Sequence, residues 1–174
     1  NKYGIQAKTH VNQFNSIGGV EASVKLGALS VDHLEEMKEE DFVSLENSEC
    51  MPTILPSCSF FLGIPYGPAT KMIERRLPVA LATDYNPGSS PSGNMNLVAS
   101  LGCTQMKMTP EQVINATTIN TAYAMGVEKE LGSICVGKKA NLFITKEIPS
   151  YSYLSYSFGE NLINKVIING KITA

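Results

Sequence analysis

The hydrophobic pattern of the chain shows four short apolar runs, each of which ends at a polar or kinked position. Successive runs end roughly 22 to 29 residues apart, which is the spacing of a repeated strand–helix unit with a parallel sheet. The runs cover residues 4–9, 28–32, 51–55 and 77–83, and they lead into His10, His33, Pro56 and Asp84.

Amphipathic stretches occupy the intervals between these runs. Apolar residues recur at helical spacing in residues 20–26, 37–47 and 68–76, so each interval is predicted to form a helix. Four strand–helix units are half of a (β/α)8 barrel, whose complete form needs about 250 residues. A small doubly wound sheet fits the same pattern, and the pattern alone does not choose between the two folds.

The pattern changes after Asp84. A loop rich in turn-forming residues is followed by a predicted helix over residues 94–105. A second helix is predicted to start at the capping residue Thr109 and to end near Gly126. The remaining chain is strand-like, with an Asn169–Gly170 pair that is typical of a tight hairpin turn. We therefore expect a small β element that is separate from the strand–helix repeat.

Composition narrows the class of protein. Hydrophobic residues make up 43% of the 174 residues and charged residues 17%, which is typical of a globular domain. The net charge of −2 and the absence of a basic stripe argue against a nucleic-acid partner, and no apolar run reaches the roughly 20 residues of a membrane helix. The four cysteines form no Cys-x-x-Cys pair, so a reduced, cytoplasmic protein is predicted.

Residues that can carry chemistry stand at the ends of three predicted strands. Because the carboxyl ends of parallel strands in a barrel face one mouth, His10, His33 and Asp84 are expected to converge. Two imidazoles and a carboxylate suit a divalent metal such as zinc or iron, and an aspartate can move the proton of a metal-bound water. Each residue also has a simpler interpretation, as a hydrogen-bonded histidine or a turn aspartate.

Two neighbouring segments offer further polar groups. Asn12 and Gln13 follow His10, and their amides can either bind a polar substrate or cap the next helix. The loop over residues 86–89 offers backbone N–H groups and a hydroxyl beside Asp84, which suit a carboxylate or an amidine. A surface turn rich in glycine and proline is the alternative interpretation of this loop.

Several of these segments together resemble imidazolonepropionases, a family of amidohydrolases. The resemblance runs nearly from end to end, and its most specific part is the segment that contains Asp84. The matching segments are KTHVNQF at residues 8–14, Gly18–Gly19, LGALSVDHL at 26–34, Leu55–Pro56, LATDYNPGSS at 81–90, MTPE at 108–111 and GSICVGKKANL at 132–142.

The resemblance implies an α/β fold class. Residues 1–131 would form the C-terminal half of a metal-dependent amidohydrolase (β/α)8 TIM barrel (strands 5–8) with trailing helices, and residues 132–174 part of a small β-sandwich domain. The implied reaction is hydrolysis of the cyclic amide C–N bond of 4-imidazolone-5-propanoate to N-formimidoyl-L-glutamate in histidine degradation, with one zinc or iron ion. The expected enzyme is a cytoplasmic homodimer that acts on a small molecule and binds neither nucleic acid nor membrane.

The resemblance also implies a role for each candidate residue. His10 and Asp84 would be metal ligands, and Asp84 would also pass a proton from the attacking water to the leaving nitrogen. His33 would polarise the ring carbonyl and stabilise the oxyanion. Gln13 would contact the imidazolone ring, and the substrate pocket would be lined by Asn86, Gly88 and Ser89.

The sequence departs from the family pattern in three ways. Gln13 stands where some members carry Glu, and its amide can bind the ring but cannot act as a base. Asn141 replaces the Asp usual in the tail motif, which indicates a structural role. The first-strand His-x-His metal pair and the Arg, Tyr and His that bind the substrate carboxylate are absent. The chain, which starts at Asn1, is therefore expected to be the C-terminal portion of the enzyme, and to bind metal weakly and lack turnover on its own.

Two other functions fit the same residues. A dihydroorotase- or hydantoinase-like amidohydrolase would use two metals and a carboxylated lysine, for which Lys8 is the candidate on the strand of His10. A non-catalytic module that keeps the fold without a metal is the third interpretation, and the missing histidine pair is its main support.

Overall fold

Four parallel strands form the central sheet, in the same order along the sheet as along the chain. The computed structural model describes residues 4–173. The strands are β1 (Lys8–Val11), β2 (Ser30–His33), β3 (Met51–Ile54) and β4 (Ala80–Leu81). Their connections carry α1 (Gly19–Lys25), α2 (Glu39–Glu46), α3 (Pro56–Leu62) and α4 (Ala69–Glu74). The predicted strand–helix repeat and its parallel sheet are confirmed.

One face of this sheet is buried under the helices. Val31, Ile54 and Leu81 project from three strands into a shared core and are fully buried. Side chains of the surrounding helices, such as Phe42 and Met72, complete the same core. Because strand side chains alternate between faces, the register places His10, Asp32 and Thr53 side by side on the other face. The sheet therefore separates an apolar core from a row of polar residues.

Several element bounds differ from the sequence-based predictions. β1 begins at Lys8 rather than at residue 4, because only residues 8–11 pair with β2, and β4 is reduced to two residues. The helix α3 was not predicted, since Pro56 was interpreted as a kink. In the structure Pro56 opens α3, where the fixed φ of proline and its missing N–H cost nothing.

The helix predicted to run from Thr109 to Gly126 is two helices. α5 (Met95–Thr104) precedes them as expected, and α6 (Pro110–Thr117) starts with the predicted capping box between Thr109 and Gln112. Thr118 then leaves the helical region, with φ −124° and ψ −89°, and α7 (Ile119–Ala124) follows.

The break at Thr118 lets α7 reach β4. The Asn120 amide donates to the Val79 carbonyl oxygen at 2.8 Å, and the Thr121 hydroxyl donates to that of Leu81 at 3.2 Å. These contacts satisfy buried backbone acceptors in β4 and immediately before it.

The last part of the chain forms an antiparallel sheet of β5 (Leu142–Thr145), β6 (Ile163–Ile168) and β7 (Lys171–Ile172), with α8 (Tyr153–Tyr156) before β6. The predicted hairpin turn is present: Asn169 and Gly170 both have positive φ, at 50° and 78°. Both φ values suit a type I′ turn, which matches the twist of the strands.

The boundary at residue 131 stays a prediction, and the outer ends of the two predicted units, Asn1 and Ala174, lie outside the described residues. Among the described helices, none is both long and apolar enough to cross a membrane.

A buried carboxylate ties the loop after β1 to the start of α2. Asp41 is only 4% exposed. It accepts hydrogen bonds from the Asn12 amide at 3.0 Å, the Ser16 hydroxyl at 2.7 Å and the backbone N–H of Lys38 at 2.9 Å. A single side chain thereby fixes the loop that carries Gln13.

We predict that Asp41→Asn lowers the free energy of unfolding by about 1–3 kcal/mol, because an amide oxygen accepts these three hydrogen bonds more weakly than an ionised carboxylate does. Urea denaturation followed by circular dichroism measures the change. Glu40→Gln, an exposed substitution in the same helix turn, is the matched control and should change stability by less than about 0.5 kcal/mol. Equal stabilities of the two variants would contradict the assigned role of Asp41.

Candidate active site

The two histidines meet at the carboxyl edge of the parallel sheet. His10 lies in β1 and His33 is the last residue of β2. Their ring centroids are 4.0 Å apart, with the ring planes tilted by 48°. His10 is exposed, whereas His33 is buried, with 2% of its surface accessible. The expected convergence of these two residues is therefore present.

Left-handed backbone follows the strand ends at this edge. Asn12, His33, Leu34 and Asp84 have φ values of 58°, 93°, 67° and 54°. Such values are uncommon for residues other than glycine, cost on the order of 1–3 kcal/mol each and cluster at functional sites. The backbone N–H of Leu34 donates to the Val11 carbonyl oxygen at 3.3 Å, and this hydrogen bond holds the turn after β2. These turns orient their side chains in directions that differ from those of a regular strand.

A carboxylate that the sequence interpretation missed lies beside His33. The Glu35 Oε1 atom is 3.5 Å from Nδ1 of His33, and both side chains are buried, at 1% and 3% exposure. The Ser59 hydroxyl donates to the same oxygen at 3.1 Å. A carboxylate two residues after His33 was the available signal, but in a regular strand it would only have indicated the same face of the sheet.

Asp84 is held by its own loop. The Ser89 hydroxyl donates to Oδ2 of Asp84 at 3.0 Å, and the Asn86 side-chain amide donates to the Asp84 carbonyl oxygen at 2.6 Å. The backbone N–H groups of Gly88 and Ser89 both donate to Oδ1 of Asn86 at 2.8 Å. The loop donors that were expected to be available for a ligand are therefore engaged inside the loop, and they fix Asp84 in place.

Cys58 of α3 connects these parts. Gln13 donates from Nε2 to the Cys58 sulfur at 3.4 Å. Burial, with a further contribution from the neighbouring Asp84 carboxylate, raises the pKa of the Cys58 thiol to about 11, and the charge of Glu35 acts in the same direction. Cys58 is buried, and it joins Gln13 to the Asp84 loop.

The described residues do not complete a metal centre by themselves. Within residues 4–173, no group of three or more His, Cys, Asp or Glu side chains is placed to hold a metal ion. His10 and His33 are brought into contact, and Gln13, Asp84 and Ser89 surround Cys58. An open cleft of about 290 Å³ borders His10 and Gln13 along the β1–α1 loop.

Lys8 takes part in a different cluster. Its ammonium lies 3.7 Å from the Asp32 carboxylate, contacts the Ser30 hydroxyl and donates to the Ala124 carbonyl oxygen at 3.1 Å. A carboxylated lysine would carry a negative charge beside Asp32. This arrangement argues against Lys8 as a bridging metal ligand.

The sequence matches one protein family along nearly its whole length. Residues 1–173 match the family model described as "Amidohydrolase family", and the chain belongs to this family. It is 61% identical over 98% of its length to imidazolonepropionases of Flavobacterium johnsoniae and Christiangramia forsetii, and 41% identical over 97% to that of Alkaliphilus metalliredigens. These matches confirm the resemblance, and the chain spans about 40–42% of the length of these relatives.

Solved structures of distant relatives show the same fold. An adenosine deaminase from Xanthomonas campestris with bound zinc has a TM-score of 0.78 and 20% identity over 88% of this chain and 39% of its own. An atrazine chlorohydrolase from Arthrobacter aurescens, solved with zinc and atraton, has a TM-score of 0.79 and 14% identity over 98% of this chain and 44% of its own. The parallel sheet is therefore part of a TIM-barrel amidohydrolase fold.

We predict that the cysteines react with iodoacetamide in an order set by burial. Burial raises the pKa of Cys50 and Cys58 to about 11, so about one thiol in a thousand is ionised at pH 8, whereas Cys135 is exposed. Peptide mass spectrometry should show Cys135 modified first. In concentrated urea, which unfolds the chain, all four cysteines should react at similar rates. Equal rates for Cys58 and Cys135 in the native protein would contradict the structure.

Proposed function

We propose that this chain supplies part of the active site of an imidazolonepropionase, which hydrolyses 4-imidazolone-5-propanoate to N-formimidoyl-L-glutamate in histidine degradation. The observation that carries the proposal is the contact between His10 and His33 at the carboxyl edge of the parallel sheet, the edge at which Asp84 follows β4. The identity to imidazolonepropionases along nearly the whole chain supports the substrate. Because the chain spans less than half of those relatives, further protein segments are needed to complete the site.

A divalent metal fits this proposal, with zinc or iron as the candidates. His10 presents an exposed imidazole, and Asp84 presents a carboxylate whose Oδ2 atom accepts from Ser89. These two residues would hold the metal together with ligands from outside the chain, since the described residues offer no complete set. Two of the structural relatives were solved with zinc. When bound, the metal would make a coordinated water more acidic.

The side chains of this chain divide the remaining tasks. Asp84, fixed by Ser89, would accept a proton from the attacking water and pass it to the leaving ring nitrogen. His33 is buried beside a carboxylate and would donate a hydrogen bond to the ring carbonyl as negative charge develops there. The Gln13 amide would hold the ring. Asn86, Gly88 and Ser89 would line the pocket through the loop that they stabilise.

The competing functions are less well supported. The dihydroorotase-like alternative needs a carboxylated lysine, and Lys8 is paired with Asp32 instead. The non-catalytic alternative leaves unexplained why strained backbone presents His33 and Asp84 at the same edge of the sheet. The cytoplasmic location and the homodimer of the complete enzyme stay predictions.

We predict that the 174-residue chain, supplied with zinc or iron, removes 4-imidazolone-5-propanoate no faster than buffer, because the site is incomplete. Joining it to the part of the F. johnsoniae enzyme that it does not cover should restore turnover and metal binding of about one ion per chain. Loss of the substrate absorbance and metal analysis provide the measurements. Substantial turnover by the chain alone, or a folded and metal-loaded chimera without activity, would count against the proposal.

In the active chimera, Asp84→Asn should lower kcat by about 10²- to 10⁴-fold, because an amide cannot accept the proton. Glu111→Gln, an exposed change on α6, is the charge-matched control and should leave kcat unchanged. Hydrolysis of dihydroorotate or hydantoin in preference to the imidazolone would favour the alternative amidohydrolase.

A further inference from the structure

Glu35 is a buried carboxylate for which the proposed reaction has no use so far. It follows β2 by two residues, after the left-handed turn at His33 and Leu34. Its side chain is 1% exposed, and carboxylates are rarely buried to this extent without a partner. Its placement therefore calls for a specific interaction.

The candidate partner is the imidazole of His33. The distance between Oε1 of Glu35 and Nδ1 of His33 is 3.5 Å. Nδ1 of His33 and Oε2 of Glu35 are both buried without a hydrogen-bond partner. Because two unsatisfied polar atoms in a low-dielectric environment are each unfavourable, a small rotation that joins these groups is favoured.

We propose that Glu35 is a positioning residue that keeps a proton on Nδ1 of His33. With Nδ1–H directed at the carboxylate, the ring is held in one orientation, and any further proton must reside on Nε2. The other ring nitrogen, Nε2, then points away from the carboxylate. The consequence for catalysis rests on the proposed function, whereas the location of the proton does not.

The protonation state of Glu35 decides between two arrangements. An ionised Glu35 accepts from Nδ1–H, whereas a protonated Glu35 would donate to Nδ1 and leave the ring proton on Nε2. The Ser59 hydroxyl donates to Oε1, which favours the ionised carboxylate. Ser59 comes from α3, so the arrangement links the end of β2 to the helix that also carries Cys58.

Nuclear magnetic resonance can read the proton position directly, because the chain has only two histidines. Long-range 1H–15N spectra of the 174-residue chain are recorded with a chelator at about pH 8, where a free imidazole is neutral. In the variant His10→Asn, the remaining imidazole signals belong to His33, which assigns the signals of both rings. We expect a protonated Nδ1 in His33, and an unprotonated Nδ1 in the native chain overturns the proposal by itself.

Three substitutions test whether Glu35 is the cause. Glu35→Gln should reduce the Nδ1-protonated population of His33, because the new amide can donate to Nδ1, and Glu35→Asp should restore it. Glu36→Gln removes the same charge from an exposed side chain one residue further along, and it should leave the protonation of Nδ1 of His33 unchanged. A native-like Glu35→Gln spectrum with the Nδ1 proton unchanged overturns the proposal.

The catalytic consequence is measured separately in the chimera described above. Glu35→Gln should lower kcat by about 10- to 100-fold with KM changed less than about threefold, the pattern expected for a residue that orients a catalytic group. If Glu35→Gln displaces the Nδ1 proton of His33 but leaves kcat equal to that of the unsubstituted chimera, the catalytic part of this proposal is contradicted. An inactive chimera would count against the proposed function, while the proton position in the isolated chain would still decide the role of Glu35.

Discussion

Parallel pairing of neighbouring strands is the constraint on which the rest of the structure depends. Because every strand of this sheet runs in the same direction, each crossover returns the chain to the same starting edge, and all strand ends share one rim. His10, His33 and Asp84 are separated by up to 74 positions in the sequence, and only this topology brings them to a common edge. The alternation that buries Val31 and Ile54 beneath the helices places His10, Asp32 and Thr53 on the opposite face, beside a small apolar cluster of Met51, Ala80 and Ala124.

The repeat and the approximate location of the site could be predicted from the sequence, because both depend on local periodicity. Apolar runs followed by polar residues mark strand ends, and the Asn169–Gly170 pair specifies its own turn. Features that depend on contacts between distant segments could not be predicted. The break at Thr118 is one example, since its advantage lies in carbonyl groups of a strand nearly 40 residues earlier.

The residues of the site also divide into those that a local pattern predicts and those that depend on contacts between distant segments. Spacing and family resemblance identified the residues that stand at strand ends, whereas Glu35 and Cys58 come into the site through a left-handed turn and an unpredicted helix. Such turns are set by the balance of tertiary contacts against local strain, which no local pattern of hydrophobic residues encodes. Conversely, the loop after Asp84 was expected to offer donors to a ligand, and its own Asn86 side chain uses them.

The ion pair between Lys8 and Asp32 has an electrostatic consequence for the whole rim. The Lys8 ammonium offsets the charge of Asp32, the acid that lies next to His10 in the strand register. The Lys8–Asp32 pair therefore attracts an approaching ion of either sign less strongly than each of the two groups would alone.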